Sequence, residues 1–287
     1  MNTYQIITDS GCDLPLELRR ELKIEMVSLT LRFREQEQPD SVGDDIRQLY
    51  AALRAGEAAT TSAVNPDTWE QAMSPALERG EDVLVLAFSS GLSTTYQSAV
   101  IAAGELAARY PQRKIRVVDS RSASLGQGLL VWYACRQRDA GLSLDQLADW
   151  LEEEKYHLCH WFTVDDLMYL KRGGRISAAT ALVGTMLGIK PVLHMDDEGH
   201  LINVSKVRGR KASVEALADK LGQLGLPGKN DTVFICHGDC LEDAKRLEAI
   251  VREKYGVKEV FIGYTGAVIG SHSGPGNLAL FFLGEKR

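Results

Sequence analysis

Three groups of side chains in this sequence have the types and spacing for chemistry. The first is the hydroxyl run Ser89-Ser90-Gly91-Leu92-Ser93-Thr94-Thr95, which follows a continuous apolar stretch from Val83 to Phe88. The second is His272, which sits in the frame Tyr264 to Gly276 with four glycines and one proline around it. The third is Lys171-Arg172-Gly173-Gly174-Arg175, three cations about a glycine pair that allows close backbone approach. Smaller sets are Asp9-Ser10, Thr60-Thr61-Ser62 and Asp119-Ser120. Hydroxyls between a buried strand and a helix start make a seat for a carboxylate or a phosphate, because free N–H groups and the positive end of the helix dipole meet there. Helix capping is the simpler account of any one of these Ser and Thr residues, and it is the density of the cluster at a buried strand's carboxyl end that keeps the ligand reading beside it. Ser93 as nucleophile and His272 as base, oriented by Asp9 or Asp119, would make a hydrolase. The G-x-S-x-G elbow of such enzymes is missing, since Gly91-Leu92-Ser93 runs into Thr94-Thr95.

Other chemistries find less support. Cys236 and Cys240, and the cluster His157, Cys159, His160, do not complete a zinc framework, and no metal is expected. Gly126 and Gly128 lack the third glycine of a dinucleotide fingerprint and do not directly follow a strand, so close helix packing is the simpler account.

These side chains need a scaffold. Short apolar runs at Tyr4–Thr8, Met26–Phe33, Val83–Phe88 and Lys114–Val118 each end in a polar loop and lead to a helical segment, the plan of a parallel α/β sheet with its ligand edge at the strands' carboxyl ends. Asp13 reads as a helix N-cap with Pro15 in the first turn. Residues 35–44 and 60–66 read as polar loops, as does 264–276. Past Cys159 the composition changes. Trp161–Val164 reads as a strand, Lys190–Met195 and His200–Lys206 as a hairpin, Thr232–Cys236 and Val257–Ile262 as strands, and Ser213–Leu224 and Leu241–Tyr255 as helices. Residues 178–188 are small and apolar, too short to span a bilayer, and read as a core helix or a channel lining. The expected division is one α/β domain over residues 1–158 and a second, with a mixed sheet, over residues 159–287.

Composition narrows the class. At 287 residues, with 45% hydrophobic and 25% charged residues, the chain is an ordinary globular protein with room for two domains. Five scattered cysteines and an N-terminus that enters a strand directly read as cytoplasmic with reduced thiols, without a membrane anchor. A net charge of −6 argues against general nucleic-acid binding. The balance is uneven, because the window from Lys171 to Lys211 holds eight basic residues and three acidic ones.

Eight of these landmarks occur together and in order: Asp9-Ser10 with Cys12-Asp13-Leu14; Thr61-Ser62; Ser89 to Ser93 with Thr95-Tyr96; Asp119-Ser120; Leu170-Lys171 with Gly173-Gly174-Arg175-Ile176; Ile189-Lys190-Pro191; Lys206 with Arg208-Gly209; and His272 with Gly274-Pro275-Gly276. In this the chain resembles the DegV family of bacterial fatty-acid-binding proteins, from Ile6 to Phe282. The resemblance implies two α/β domains with a long-chain fatty acid between them. It also implies a role as the acyl-carrying subunit of a fatty acid kinase, in which a separate ATP-binding protein converts the presented carboxylate to an acyl phosphate. By position, Thr61, Ser93 and His272 match the family's carboxylate contacts, with Ser62 and Ser120 nearby. Arg175 matches its head-group arginine and, with Arg208 and Arg210, would meet the kinase. Ile176, Leu182, Met186, Leu187 and Phe281 are candidates for the acyl tunnel. No cofactor is implied, and a lipid or small-anion carrier without a kinase is the alternative. Two positions depart from the family pattern: Thr94 stands where Gly is usual, and Ala63-Val64-Asn65 replaces Gln-Pro-Ser. A tail of about fourteen CH₂ groups offers on the order of 11 kcal/mol before costs, at about 0.8 kcal/mol each, so the tail would supply affinity and the hydroxyls orientation. The basic window would steer an ATP-handling partner.

Overall fold

A computed structural model describes residues 4–40, 46–177 and 188–287. Four strands form a parallel sheet in the order β2-β1-β6-β7: β1 (Tyr4–Asp9), β2 (Glu25–Val27), β6 (Asp82–Ala87) and β7 (Ile115–Asp119). Every residue of β6 is buried, as expected for a central strand covered on both faces. Its residues divide by period two. Val83, Val85 and Ala87 pack with Trp69 and Met73 of α3 (Pro66–Glu78) and with Ala99 and Leu106 of α4 (Thr95–Arg109). Leu84 and Leu86 face the other way, toward α5 (Ser124–Asp139).

A second sheet is mixed, in the order β10-β9-β8-β13-β11-β12. It comprises β8 (Leu158–Thr163), β9 (Ile189–Met195), β10 (Leu201–Arg208), β11 (Thr232–His237), β12 (Glu259–Tyr264) and β13 (Leu278–Leu283), with only the β11–β12 pair parallel. Its outer face, including Val233, Ile235, Leu278, Leu280 and Phe282, packs on α8 (Arg210–Leu224) and α9 (Leu241–Tyr255). The inner face, including Phe234, Cys236, Ala279 and Phe281, shares one hydrophobic cluster with α5, Ile6, Leu84 and Leu86. Helix α5 is therefore a layer common to both sheets. It is also tied by polar contacts: Gln127 Nε2 donates to Thr8 Oγ1 at 3.0 Å, and Thr8 Oγ1 donates to the Leu86 carbonyl at 2.8 Å.

The glycines at 126 and 128 serve this packing. A Cβ at Gly126 would fall 2.4 Å from the His160 ring, and one at Gly128 would fall 2.7 Å from the Cys12 carbonyl oxygen.

Several expectations are corrected. The run Met26–Phe33 is two strands in two sheets. After β2 the chain turns at Ser28-Leu29, where the Leu29 N–H donates to Ser10 Oγ at 3.0 Å, and continues as β3 (Thr30–Phe33). With β4 (Gln36–Pro39) and β5 (Ala59–Ser62), β3 forms a small antiparallel sheet where the sequence reads as polar loops. Asp13 does not cap α1 (Leu16–Glu21): it is buried in a left-handed conformation and accepts a hydrogen bond from Ser124 Oγ. Within the glycine-rich frame, Ala267–Ser273 forms a short helix, α10, between Gly266 and Gly274; Gly270 lies inside it, where a Cβ would fall 2.4 Å from the Tyr50 hydroxyl oxygen. Leu182, Met186 and Leu187 lie outside the described residues. No described helix is long and apolar enough to cross a membrane.

Replacing Gly128 with Ala puts the new methyl against backbone that cannot rotate away, so we expect a loss of about 1–3 kcal/mol. Urea unfolding of the wild type and Gly128→Ala would check this; equal midpoints would show that α5 can move off the turn at Cys12.

Candidate ligand-binding site

A cavity of about 490 Å³ lies between the two large sheets, beside the small one. One end is polar. It is lined by Thr61 and Ser62 of β5, Ser90, Ser93 and Thr94 of the hydroxyl run, Arg175, and His272 of α10 (Ala267–Ser273). Ser62, Ser90 and Thr94 are exposed, which marks this end as the mouth. The walls beyond include Leu29, Phe88, Phe162, Met195, Leu201, Val268 and Phe281.

Each head-group donor is positioned by its own backbone. The hydroxyl run turns tightly after β6, with the Leu92 and Ser93 N–H groups both donating to the Ser89 carbonyl at 3.1 Å. Ser93 Oγ accepts from the Thr95 N–H at 3.2 Å and lies 2.9 Å from Thr95 Oγ1. When the Thr95 hydroxyl donates to Ser93, the Ser93 proton is free for a ligand oxygen. Thr95, a buried residue that sequence reasoning treated only as part of the run, is thus the positioning group for Ser93. The Val64 N–H donates to Thr95 Oγ1 at 3.4 Å, and Asn65 accepts from the Thr68 N–H at 2.8 Å to cap α3. The departure Ala63-Val64-Asn65 therefore keeps a helix cap and a tie to the hydroxyl run.

Across the mouth, Thr61 Oγ1 and His272 Nε2 are 2.8 Å apart. Burial, and then the nearby charge of Arg175, lower the His272 pKa to about 4, so the ring is neutral at pH 7. With its proton on Nε2, the ring donates to Thr61 and frees the Thr61 hydroxyl proton for a ligand, as Thr95 does for Ser93. The ring's other side packs on Gly173, where a Cβ would fall 2.2 Å from Nδ1. Arg175 reaches the hydroxyl run, its Nε donating to the Leu92 carbonyl at 3.3 Å, and it also donates to the Gly173 carbonyl. Burial lowers its pKa, and it forms no ion pair with an acid among the described residues. A half-buried guanidinium bound only to carbonyls, beside two free hydroxyl protons, suits an anion with two oxygens.

Not all candidates assemble here. Ser120 is buried away from the cavity, with its Oγ accepting from the Ser122 N–H at 3.1 Å inside its own turn. Ile176 turns into a core cluster with Val164, Leu167, Leu170 and Leu193 rather than into the cavity. Arg210 is committed to Asp243 at 2.8 Å and Asp165 at 3.6 Å, whereas Arg208 is exposed with no ion pair among the described residues. Phe281 does line the cavity, and Thr94 stands exposed at its mouth.

A catalytic triad is not formed. Asp9 accepts from the Gly11 and Phe88 N–H groups at 3.0 and 2.7 Å, and burial raises its pKa to about 7. Asp119 accepts from the Ser90 and Arg121 N–H groups. Neither carboxylate is bonded to His272 among the described residues, and Ser93 is bonded to Thr95.

The family model described as "Uncharacterised protein, DegV family" matches residues 3–285. A DegV domain-containing protein from Clostridium perfringens is 44% identical over all of this chain and 99% of its own length. Among solved structures, a DegV family protein from Thermus thermophilus described for its fatty acid binding superposes with a TM-score of 0.88, at 31% identity, over 99% of this chain and 100% of its own. A Thermotoga maritima protein, also described as revealing a fatty acid binding function, gives a TM-score of 0.86 at 29% identity, over 99% of this chain and 100% of its own.

The neutral His272 makes stability depend on pH. Its pKa is about 4 in the fold against an ordinary value of 6.5 for a solvated imidazole, so between these values the unfolded chain binds the extra proton. Acidification from about pH 6.5 toward 4 therefore destabilises the fold. In the ligand-free protein, the urea midpoint should fall more steeply over this window for wild type than for His272→Gln; parallel curves would contradict a neutral, buried ring.

Proposed function

Since the chain belongs to the DegV family, we propose that it binds a long-chain fatty acid, with the carboxylate at the mouth and the tail in the cavity. Thr61, Ser93 and Arg175 hold the carboxylate oxygens, His272 orients Thr61, and Ser62 lies beside them. Phe88, Phe162, Met195 and Phe281 receive the tail. The observation that carries this reading is the clustering of the free hydroxyl and guanidinium donors at one end of a largely apolar cavity. A small anion such as phosphate would use that end and leave the rest without an occupant. The fatty acid binding described for the Thermus and Thermotoga proteins points the same way.

The finer reading is that the chain presents this carboxylate to a separate ATP-dependent kinase, which phosphorylates it to an acyl phosphate. The donors favour that chemistry in one respect. Hydroxyls and a neutral imidazole orient a carboxylate without protonating it, so an oxygen keeps the lone pair that attacks phosphorus. The exposure of Ser62, Ser90 and Thr94 supports a head group near the surface, within reach of another protein's site. Arg208, exposed and without an ion pair among the described residues, is one of the cations of the basic window available for docking, with Arg172 and Lys206; Arg210 is not.

Denaturing mass spectrometry of an organic extract should find one long-chain fatty acid per wild-type chain and much less in Ser93→Ala and His272→Ala. An empty wild-type extract, with no uptake of added oleate or palmitate, would overturn the ligand. In a reconstitution with a fatty acid kinase and ATP, Arg208→Glu should slow acyl-phosphate formation about tenfold, near 1.4 kcal/mol, without changing fatty-acid content. Absence of acyl phosphate with loaded wild type would leave a carrier without a kinase role.

A further inference from the structure

Away from its mouth the cavity meets several polar side chains, and most are satisfied within the protein. Thr265 Oγ1 donates to Asn277 Oδ1 at 2.6 Å, Asn277 Nδ2 to the Gly274 carbonyl at 2.7 Å, and Ser124 Oγ to Asp13. His160, on β8 (Leu158–Thr163), differs. It lines the cavity at 1% exposure, and neither ring nitrogen makes a hydrogen bond among the described residues.

The ring cannot easily turn elsewhere. Phe281 meets it edge-on with centroids 5.4 Å apart, and a Cβ at Gly126 would fall 2.5 Å from Nε2. Burial, together with the charge of Arg287, holds its pKa well below the usual value against an opposing pull from the nearby Leu158 carbonyl, which accepts from Arg287 Nε at 3.2 Å but closes no hydrogen bond of good geometry with the ring. The imidazole is therefore neutral, with one N–H to donate and one lone pair to accept. Buried polar groups without partners are costly, and an alkyl tail offers this one none. A hydroxyl on the tail can supply the missing partner.

We propose that His160 selects an acyl ligand with an oxygen along its chain, a hydroxy fatty acid, by hydrogen bonding to that oxygen inside the cavity. The proposal rests on the fatty-acid reading of the cavity and adds a specificity-determining residue to it. An in-chain hydroxyl reaches the imidazole only at a carbon whose depth matches His160, so selection extends to its position.

The test is competitive loading of the delipidated chain with an equimolar mixture of stearate and a positional series of hydroxystearates, read by mass spectrometry of the extracted acids. Wild type should retain at least one hydroxystearate about tenfold over stearate, the scale of one buried hydrogen bond. His160→Phe and His160→Leu should load stearate fully and lose the preference, whereas His160→Gln should keep part of it. Equal retention of all the acids by wild type, or a preference for stearate, overturns the proposal even if both apolar variants misfold; so does a preference that survives both. Stearate uptake without discrimination overturns this proposal alone, whereas uptake of none of the acids overturns the fatty-acid reading with it.

Discussion

Helix α5 is buried against both large sheets, and the placement of the cavity depends on that burial. Ten of its sixteen residues are inaccessible, and its contacts include Leu84 and Leu86 on one side and Phe234 and Phe281 on the other. Two sheets sharing one helix cannot close fully upon each other. The space beside the helix, between Phe88 on the parallel side and Phe162 and Phe281 on the mixed side, is left as the cavity. The small sheet β4-β3-β5 and the helix α10 flank the opening and carry Thr61 and His272 to it. Packing thus sets where the donors meet.

The electrostatics of the mouth follow from the same arrangement. A carboxylate brought beside buried groups needs donors that are held in place without its help. The two hydroxyls have such holders: Thr95 for Ser93 and His272 for Thr61. Neither holder is charged at neutral pH. Arg175 supplies the one positive charge among these groups, and desolvation makes that charge more effective on a nearby anion than it would be in water.

Much of this architecture could be read from the residues. The strands of the parallel sheet, the β9–β10 hairpin and the helices at 213–224 and 241–255 follow from local periodicity, and local periodicity survives folding. The break between β2 and β3 could not be read, because what stabilises it is Ser10, 19 positions before Leu29. β13 has a plain apolar run, Leu278 to Leu283, yet directly after a glycine-rich loop that run carries no turn signal of its own to mark where the strand begins. For the site, residue type was informative and orientation was not. Ser93 and Ser120 both follow parallel strands. One faces the cavity, and the other closes its own turn. Arg208 and Arg210 differ likewise, since only the fold brings Asp243 and Asp165 to Arg210.

The hydroxyl run is also held from outside, by the turn that joins β9 to β10. Ser89 Oγ donates to the Gly199 carbonyl at 3.0 Å, and Arg121 donates to the Glu198 carbonyl at 2.5 Å. A side chain at Gly91 would strike that same turn, its Cβ 2.7 Å from the Gly199 oxygen. These partners are 110 and 77 residues apart in the chain, and Thr61 and His272 are 211 apart. Contacts of such separation carry the entropy of closing long loops. The mouth therefore stays incomplete until the C-terminal part of the chain has joined the fold. A nascent chain whose parallel sheet has already formed still has no head-group site until the final strands and α10 have joined it.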